Sequence, residues 1–256
     1  MPRSLRSVAL AAVLALAALW LAPALVGPII AARVAEGAGA SLAFEGVRPE
    51  WPWGVSAERT VVAVGGRIIE FSQLRARMRL SGGRVEARVG EGTLLLRTDG
   101  LTLRGGFLRA QAFPLDLLEG LVSSAFALRG AADGVYRFGA RETLEATVSR
   151  GAAVLHAPLA IELPFAQLIV AAEREADGGW RVDFANLSGP PLSCSAQGRI
   201  GAAGELALRV EISQLEEPAR FAFAAAALPT GPLPYSAELT GTLAQPRFSP
   251  AGLARR

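Results

Sequence analysis

The sequence predicts a mainly β protein: an N-terminal transmembrane helix, then an extended, twisted antiparallel β-sheet body with one short helix mid-chain. Three observations predict it. An uncharged apolar run occupies Val8 to Ala32. Beyond Gly39, short stretches alternate apolar and polar residues with a period of two, the pattern of strands with one dry and one wet face. Paired glycines at Gly65-Gly66, Gly82-Gly83, Gly105-Gly106 and Gly178-Gly179 separate those stretches and read as turns.

The first element is the apolar run. A helix crossing the hydrocarbon core needs about 20 predominantly apolar residues. Arg3 and Arg6 precede the run, and Arg33 and Glu36 follow it. The positive flank stays cytoplasmic, so the body crosses to the far side. Residues 1–36 therefore read as a cytoplasmic N-terminus plus a signal-anchor helix, which makes a single-pass chain with its body outside the cytoplasm. A cleaved secretory signal is the alternative, with Ala22-Pro23-Ala24 as a loose small-x-small site. Retention is favoured because the run continues through Val26, Ile29 and Ile30. Pro23 and Pro28 kink or end the helix near its outer edge.

The body, residues 41–250, reads as two β stretches, 41–112 and 128–250. Leu74, Ala76, Met78 and Leu80 alternate with Arg75, Arg77 and Arg79, and Val85, Ala87 and Val89 with Glu86 and Arg88. Leu101 and Leu103 alternate with Thr102 and Arg104, and Leu144, Ala146 and Val148 with Thr143, Glu145 and Thr147. Trp180, Val182 and Phe184 alternate with Arg181 and Asp183. The clearest case is Leu206, Leu208, Val210 and Ile212 against Glu205, Ala207, Arg209 and Glu211. Between the two stretches, Leu115, Leu118, Val122 and Ala125 share a helical stripe behind Pro114. That spacing predicts a short amphipathic helix near 115–124, weakened by Gly120. A loose apolar-x-Gly repeat recurs at Phe44-Glu45-Gly46, Leu80-Ser81-Gly82, Leu103-Arg104-Gly105, Leu128-Arg129-Gly130, Leu187-Ser188-Gly189 and Leu239-Thr240-Gly241. It is either the chance product of a glycine-rich β chain or a repeated strand-turn unit extending one sheet.

Composition narrows the chemistry. The 26 basic residues are all arginine against 23 acids, and Arg3, Arg6, Arg255 and Arg256 lie at the ends, so the body is close to neutral. A nucleic-acid binder carries a clustered basic excess, and no nucleic-acid partner is expected. One cysteine, Cys194, allows neither an intrachain disulfide nor a cysteine-based zinc site. One histidine, His156, rules out a His-His metal pair. Ser123 and Ser124 lie in no nucleophile elbow, and His156 between Leu155 and Ala157 has no nameable orienting partner. Gly90-Glu91-Gly92 and Gly37-Ala38-Gly39 lack the rest of a dinucleotide fingerprint or a Walker lysine. Glu216-Glu217 and Asp177, beside proline or glycine, read as solvated turn acids. The reading is non-enzymatic, with no cofactor, metal or catalytic residue.

Three groups remain as candidate binding residues. The stripe Arg75, Arg77 and Arg79, with Arg84 and Arg88 nearby, either meets lipid phosphates through guanidinium contacts or is a charged sheet face paired with acids on neighbouring strands. Trp51 and Trp53, in Trp51-Pro52-Trp53-Gly54, either sit at the headgroup level of the membrane or form a proline turn whose rings cap the β core. Leu206, Leu208 and Val210 mark the clearest apolar face. A sheet face without enough helix to cover it closes on itself, pairs with another sheet, or takes a ligand or partner.

The anchor, the segment Phe44-Glu-Gly-Val-Arg-Pro-Glu-Trp-Pro-Trp-Gly54, Leu128-Arg-Gly130, the run from Leu187 to Ile212 and the ending Leu239-Thr-Gly-Thr-Leu-Ala-Gln-Pro246 together carry a resemblance. In this layout the chain resembles the type II secretion system protein N family, which is similar to AsmA-like and bridge-type periplasmic proteins. The mid-chain helix departs from that pattern. The resemblance implies an accessory or scaffold component of an envelope protein-secretion system, single-pass in the bacterial inner membrane with a periplasmic β domain, and with other secretion or envelope proteins as partners. The wider relatives imply an alternative, a lipid-binding or lipid-transfer groove between membranes, with membrane lipid as the ligand.

Overall fold

The structure is a computed structural model, and it describes residues 40–51, 53–79, 81–100, 104–119, 126–156, 161–225, 228, 231–243 and 245–250, together with Ala32 and Glu36. The expected anchor and its flank therefore lie outside the described residues except at those two positions. Among the described residues no helix is long and apolar enough to cross a membrane. The chain divides into two compact units at Gly106 and Phe107, before rather than at the expected mid-chain helix.

The first unit is built from β1 (Ala40–Glu45), β2 (Arg48–Glu50), β3 (Gly54–Val64), β4 (Arg67–Arg79), β5 (Gly82–Val89) and β6 (Gly92–Thr98). Strands β1, β3, β4, β5 and β6 lie side by side in that order, and β2 folds back on the start of β3. Every pairing between these strands is antiparallel. The expected alternation is met: Val85, Ala87 and Val89 pair with Leu96, Leu94 and Gly92, so one face of β5 and β6 is apolar. Register shifts let strands bend, as between Ser72 and Arg75, where Gln73 takes a φ of 54°.

The second unit contains β7 (Gly106–Pro114), β8 (Phe126–Phe138), β9 (Thr143–Leu155), β10 (Ile161–Arg174), β11 (Trp180–Ser188), β12 (Leu192–Ile200), β13 (Glu205–Leu215), β14 (Tyr235–Thr242) and β15 (Pro246–Pro250). They are arranged in sequence order, each beside the next. Register lines up two apolar rows on one face. The first runs Ala132, Val148, Leu168, Leu187, Cys194, Ile212 and Tyr235 across seven strands. The second runs Gly134, Ala146, Val170, Ala185, Ala196, Val210 and Ala237 across the same strands. Burial of these rows is the main favourable term holding the strands in register, because a one-residue slip turns them to the wet side. The wet side is laced with ion pairs such as Arg137–Glu145 at 3.0 Å and Arg181–Asp183 at 2.9 Å.

Two helical readings are corrected. The described part of the expected 115–124 helix is a single 3-10 turn, Leu115–Leu118, closed by Glu119 donating to the Asp116 carbonyl. Its flanks explain the brevity: Pro114 and Glu119 both have extended ψ, 113° and 128°. The sequence reading also missed the α-helix α1 (Ala219–Ala225). Ala219, Ala222 and Phe223 turn onto Leu163, Leu192, Val210, Ile212 and Leu215, so α1 covers one end of the second unit's apolar face. The apolar-x-Gly repeat has a backbone meaning, since Gly46, Gly82, Gly130, Gly189 and Gly241 all have positive φ. Gly130, at φ 122°, sits at the register shift between Arg129 and Ala131, opposite Arg150 at φ 53°. A side chain there would run into the neighbouring strand at Gly151.

Candidate functional site

In the first unit, β4 places Arg75, Arg77 and Arg79 on one side by strict alternation. The register then adds partners that the sequence spacing did not reveal. Arg77 lies directly opposite Arg84 of β5, and Arg84 directly opposite Arg97 of β6. Three guanidinium side chains thus form a row across three adjacent strands. Like charges opposed in this way destabilise a sheet. Among the described residues only two carboxylates relieve them. Glu50, whose side chain is 18% exposed, pairs with Arg75 at 3.3 Å and Arg77 at 2.9 Å. Glu86 pairs with Arg84. Among the described residues, Arg79, Arg88 and Arg97 have no carboxylate partner. A paired sheet face is therefore present at Arg75, Arg77 and Arg84, and it stops there.

Arg75, Arg77, Arg79, Arg84 and Arg97, with the single acid Glu86, surround a depression of about 290 Å3 also lined by Gly82, Gly83 and Thr98. Thr98 accepts the Gly83 N–H through Oγ1 at 2.8 Å, fixing the start of β5. Gly82 has φ 142°, and a Cβ there would collide with the Thr98 carbonyl. Glycine is what lets β5 and the end of β6 approach closely enough to close this edge.

Trp51 and Trp53 lie at the same end of the unit. Arg77 pairs with Gly54, and the Met78 N–H donates to the Trp53 carbonyl at 2.9 Å. Both indoles are exposed, at 77% and 58%, and Met78 is exposed beside them. The rings do not cap the β core.

In the second unit, Leu206 and Val210 are buried, at 7% and 6% exposure, and Leu208 is half-buried. The opposite face carries a feature that no sequence motif marked. Asp133, Thr147 and Ile169 line up across β8, β9 and β10, and Val135, Glu145, Ala171 and Phe184 across β8 to β11. With Arg109 and Gln111 they surround an open depression of about 650 Å3. Phe184, 42% exposed, lies on its floor because a register shift between Val182 and Ala185 turns it away from the apolar face. The alternation Trp180, Val182, Phe184 predicted the other side.

The remaining candidates are structural in their surroundings. His156 approaches Glu119 at 3.6 Å, and Glu119 also faces Arg129 at 3.7 Å. Cys194 packs against the Ile212 cluster, and burial pushes its thiol up to about 11. Asp177 is an exposed turn acid, as the sequence suggests, and it pairs with Arg199 and accepts the Gly179 N–H at 3.0 Å. Among the described residues no group of three or more His, Cys, Asp or Glu side chains is placed to hold a metal ion. No protein-family model, curated protein or solved structure matches the chain.

Proposed function

We propose that the protein is a non-enzymatic scaffold of a bacterial envelope protein-secretion system, similar to the type II secretion protein N family. In this reading the apolar segment from Val8 to Ala32 anchors it in the inner membrane. The β body then stands in the periplasm and holds other envelope proteins.

The supporting observation is the open depression of the second unit. Its lining mixes half-buried Val135, Ile169 and Ala171 and the exposed ring of Phe184 with Arg109, Asp133, Glu145 and Thr147, Glu145 lying between Val135 and Ala171. Apolar and charged groups side by side suit a protein–protein contact, and an exposed aromatic is a usual anchor of one. On the other face Val148, Val210, Ile212 and Ala237 are buried as core. A second reading, a lipid-holding groove, rests on the continuity of that face, where Leu168, Leu187 and Leu208 are only half-buried.

Purification of the full chain from native envelopes in mild detergent separates the two. The scaffold predicts defined protein partners that are lost with Phe184→Asp while the thermal unfolding midpoint is kept. Phospholipid retained in fixed ratio, with no protein partner lost in the Phe184→Asp variant, overturns it in favour of the groove.

A further inference from the structure

The geometry points to a phosphate-binding site on the first unit, formed by Arg77, Arg79, Arg84 and Arg97 and used to hold the headgroup phosphate of an anionic membrane lipid. The inference rests on the charges of β4, β5 and β6 and does not require the secretion reading.

Several arginines elsewhere on the wet faces are matched by acids, and others, such as Arg109, Arg150 and Arg209, stand singly rather than opposed to one another. Arg59 meets Glu45 and Glu70, Arg129 meets Glu119 and Glu162, and Arg199 meets Glu175 and Asp177. At the end of the first unit the cations are instead crowded together. Arg77, Arg84 and Arg97 are stacked across three strands, Arg75 and Arg79 flank Arg77, and among the described residues only Glu50 and Glu86 answer these five cations. The local excess is positive and converges on one depression. A sheet that opposes like charges gives up stability unless something of opposite sign sits between them. Guanidinium groups suit a phosphate because their planar donors bind its oxygens two at a time.

Two further features select a membrane lipid as the source of the phosphate. Trp51, Trp53 and Met78 are exposed at the same end, tied to Arg77 through the Gly54 pairing and the Met78 N–H. Exposed tryptophan beside arginine matches the headgroup layer, where an indole ring rests among the carbonyls while cations meet phosphates. In chain order this end also follows closely on the apolar segment that ends at Ala32.

The test uses the full chain in neutral detergent micelles. Binding is titrated with phosphatidylglycerol mixed into the micelles, with phosphatidylcholine mixed in the same way, and with inorganic phosphate in solution. Phosphatidylglycerol is expected to bind more tightly than phosphatidylcholine, with an affinity that falls as salt rises. The double variant Arg79→Gln/Arg97→Gln removes the two unmatched cations and leaves both ion-paired carboxylates in place. It is expected to weaken phosphatidylglycerol binding roughly thirtyfold. Its thermal midpoint without lipid should be unchanged or higher, since repulsion is relieved. Trp51→Ser/Trp53→Ser should weaken the lipid and leave inorganic phosphate unaffected. Equal affinity for the two lipids, or no change in the arginine double variant, overturns the site. Inorganic phosphate binding as tightly as phosphatidylglycerol, with no effect of the tryptophan changes, overturns the lipid as its source.

Discussion

Thr60 is 2% exposed in β3, opposite Phe44 and Phe71, and its hydroxyl has no hydrogen-bond partner. A buried unsatisfied hydroxyl costs about 1–3 kcal/mol, whereas a methyl of the same shape costs nothing to desolvate. Thr60→Val is therefore expected to raise stability by about 1 kcal/mol, read as a higher urea midpoint; a lower midpoint would mean the hydroxyl is satisfied in solution. Cys194 behaves oppositely. With its thiol pushed up to about 11 by burial, little thiolate exists at neutral pH. A maleimide should leave it unmodified in the folded chain at pH 7.5 and label it fully in urea. Rapid labelling without denaturant would contradict the packing of β12 on β11 and β13. Neither residue's surroundings were legible in the sequence. Thr60 sits in a plain Val-rich run, and Cys194 was read only for the chemistry it could not perform.

At the scale of elements, α1 is the sharpest case. Ala219, Ala222 and Phe223 cover Val210, Ile212 and Leu215. Phe223→Ala should cost about 3–5 kcal/mol, as for other buried aromatics, while Phe221→Ser on the exposed side should cost far less. Similar losses from both would mean α1 does not dock. The signal for α1 was present: Pro218 opens it, two acids precede it, and its apolar residues fall at helical spacing. Alternation is easier to see than a seven-residue helix, and Glu216 and Glu217 are indeed exposed acids of the turn before it.

Ion pairs tie other elements together. The Arg174 and Tyr136 hydrogen bonds hold the Glu142 carboxyl below the usual range, and Arg141 with Arg181 does the same for Glu173. Such lowered groups stabilise the fold in full above the ordinary carboxylate value of about 4.3 and cease to do so as pH falls through their lower folded values. The gap in urea midpoint between the parent chain and Glu142→Gln/Glu173→Gln should thus be present at pH 6 and shrink towards pH 3. A gap that widens on acidification would reverse the sign of this linkage.

For the molecule as a whole, the two units share one building rule, antiparallel strands paired mostly in chain order. Alternation made that legible, because the side-chain period of a strand is set by backbone geometry. The binding surfaces were legible only in half. Arg75, Arg77 and Arg79 show on one strand, but Arg97 joins them only through the register of β5 and β6. Phe184 reaches the open depression only because a bulge reverses its side, and no local sequence rule reports a bulge. The function proposed from that depression makes a direct demand on the living cell. A photoreactive amino acid placed at Phe184, and separately at Leu208, reports what covers each face of the second unit. The scaffold predicts protein adducts of defined mass from Phe184 and none from Leu208. Lipid adducts from Leu208, with nothing captured at Phe184, would contradict it.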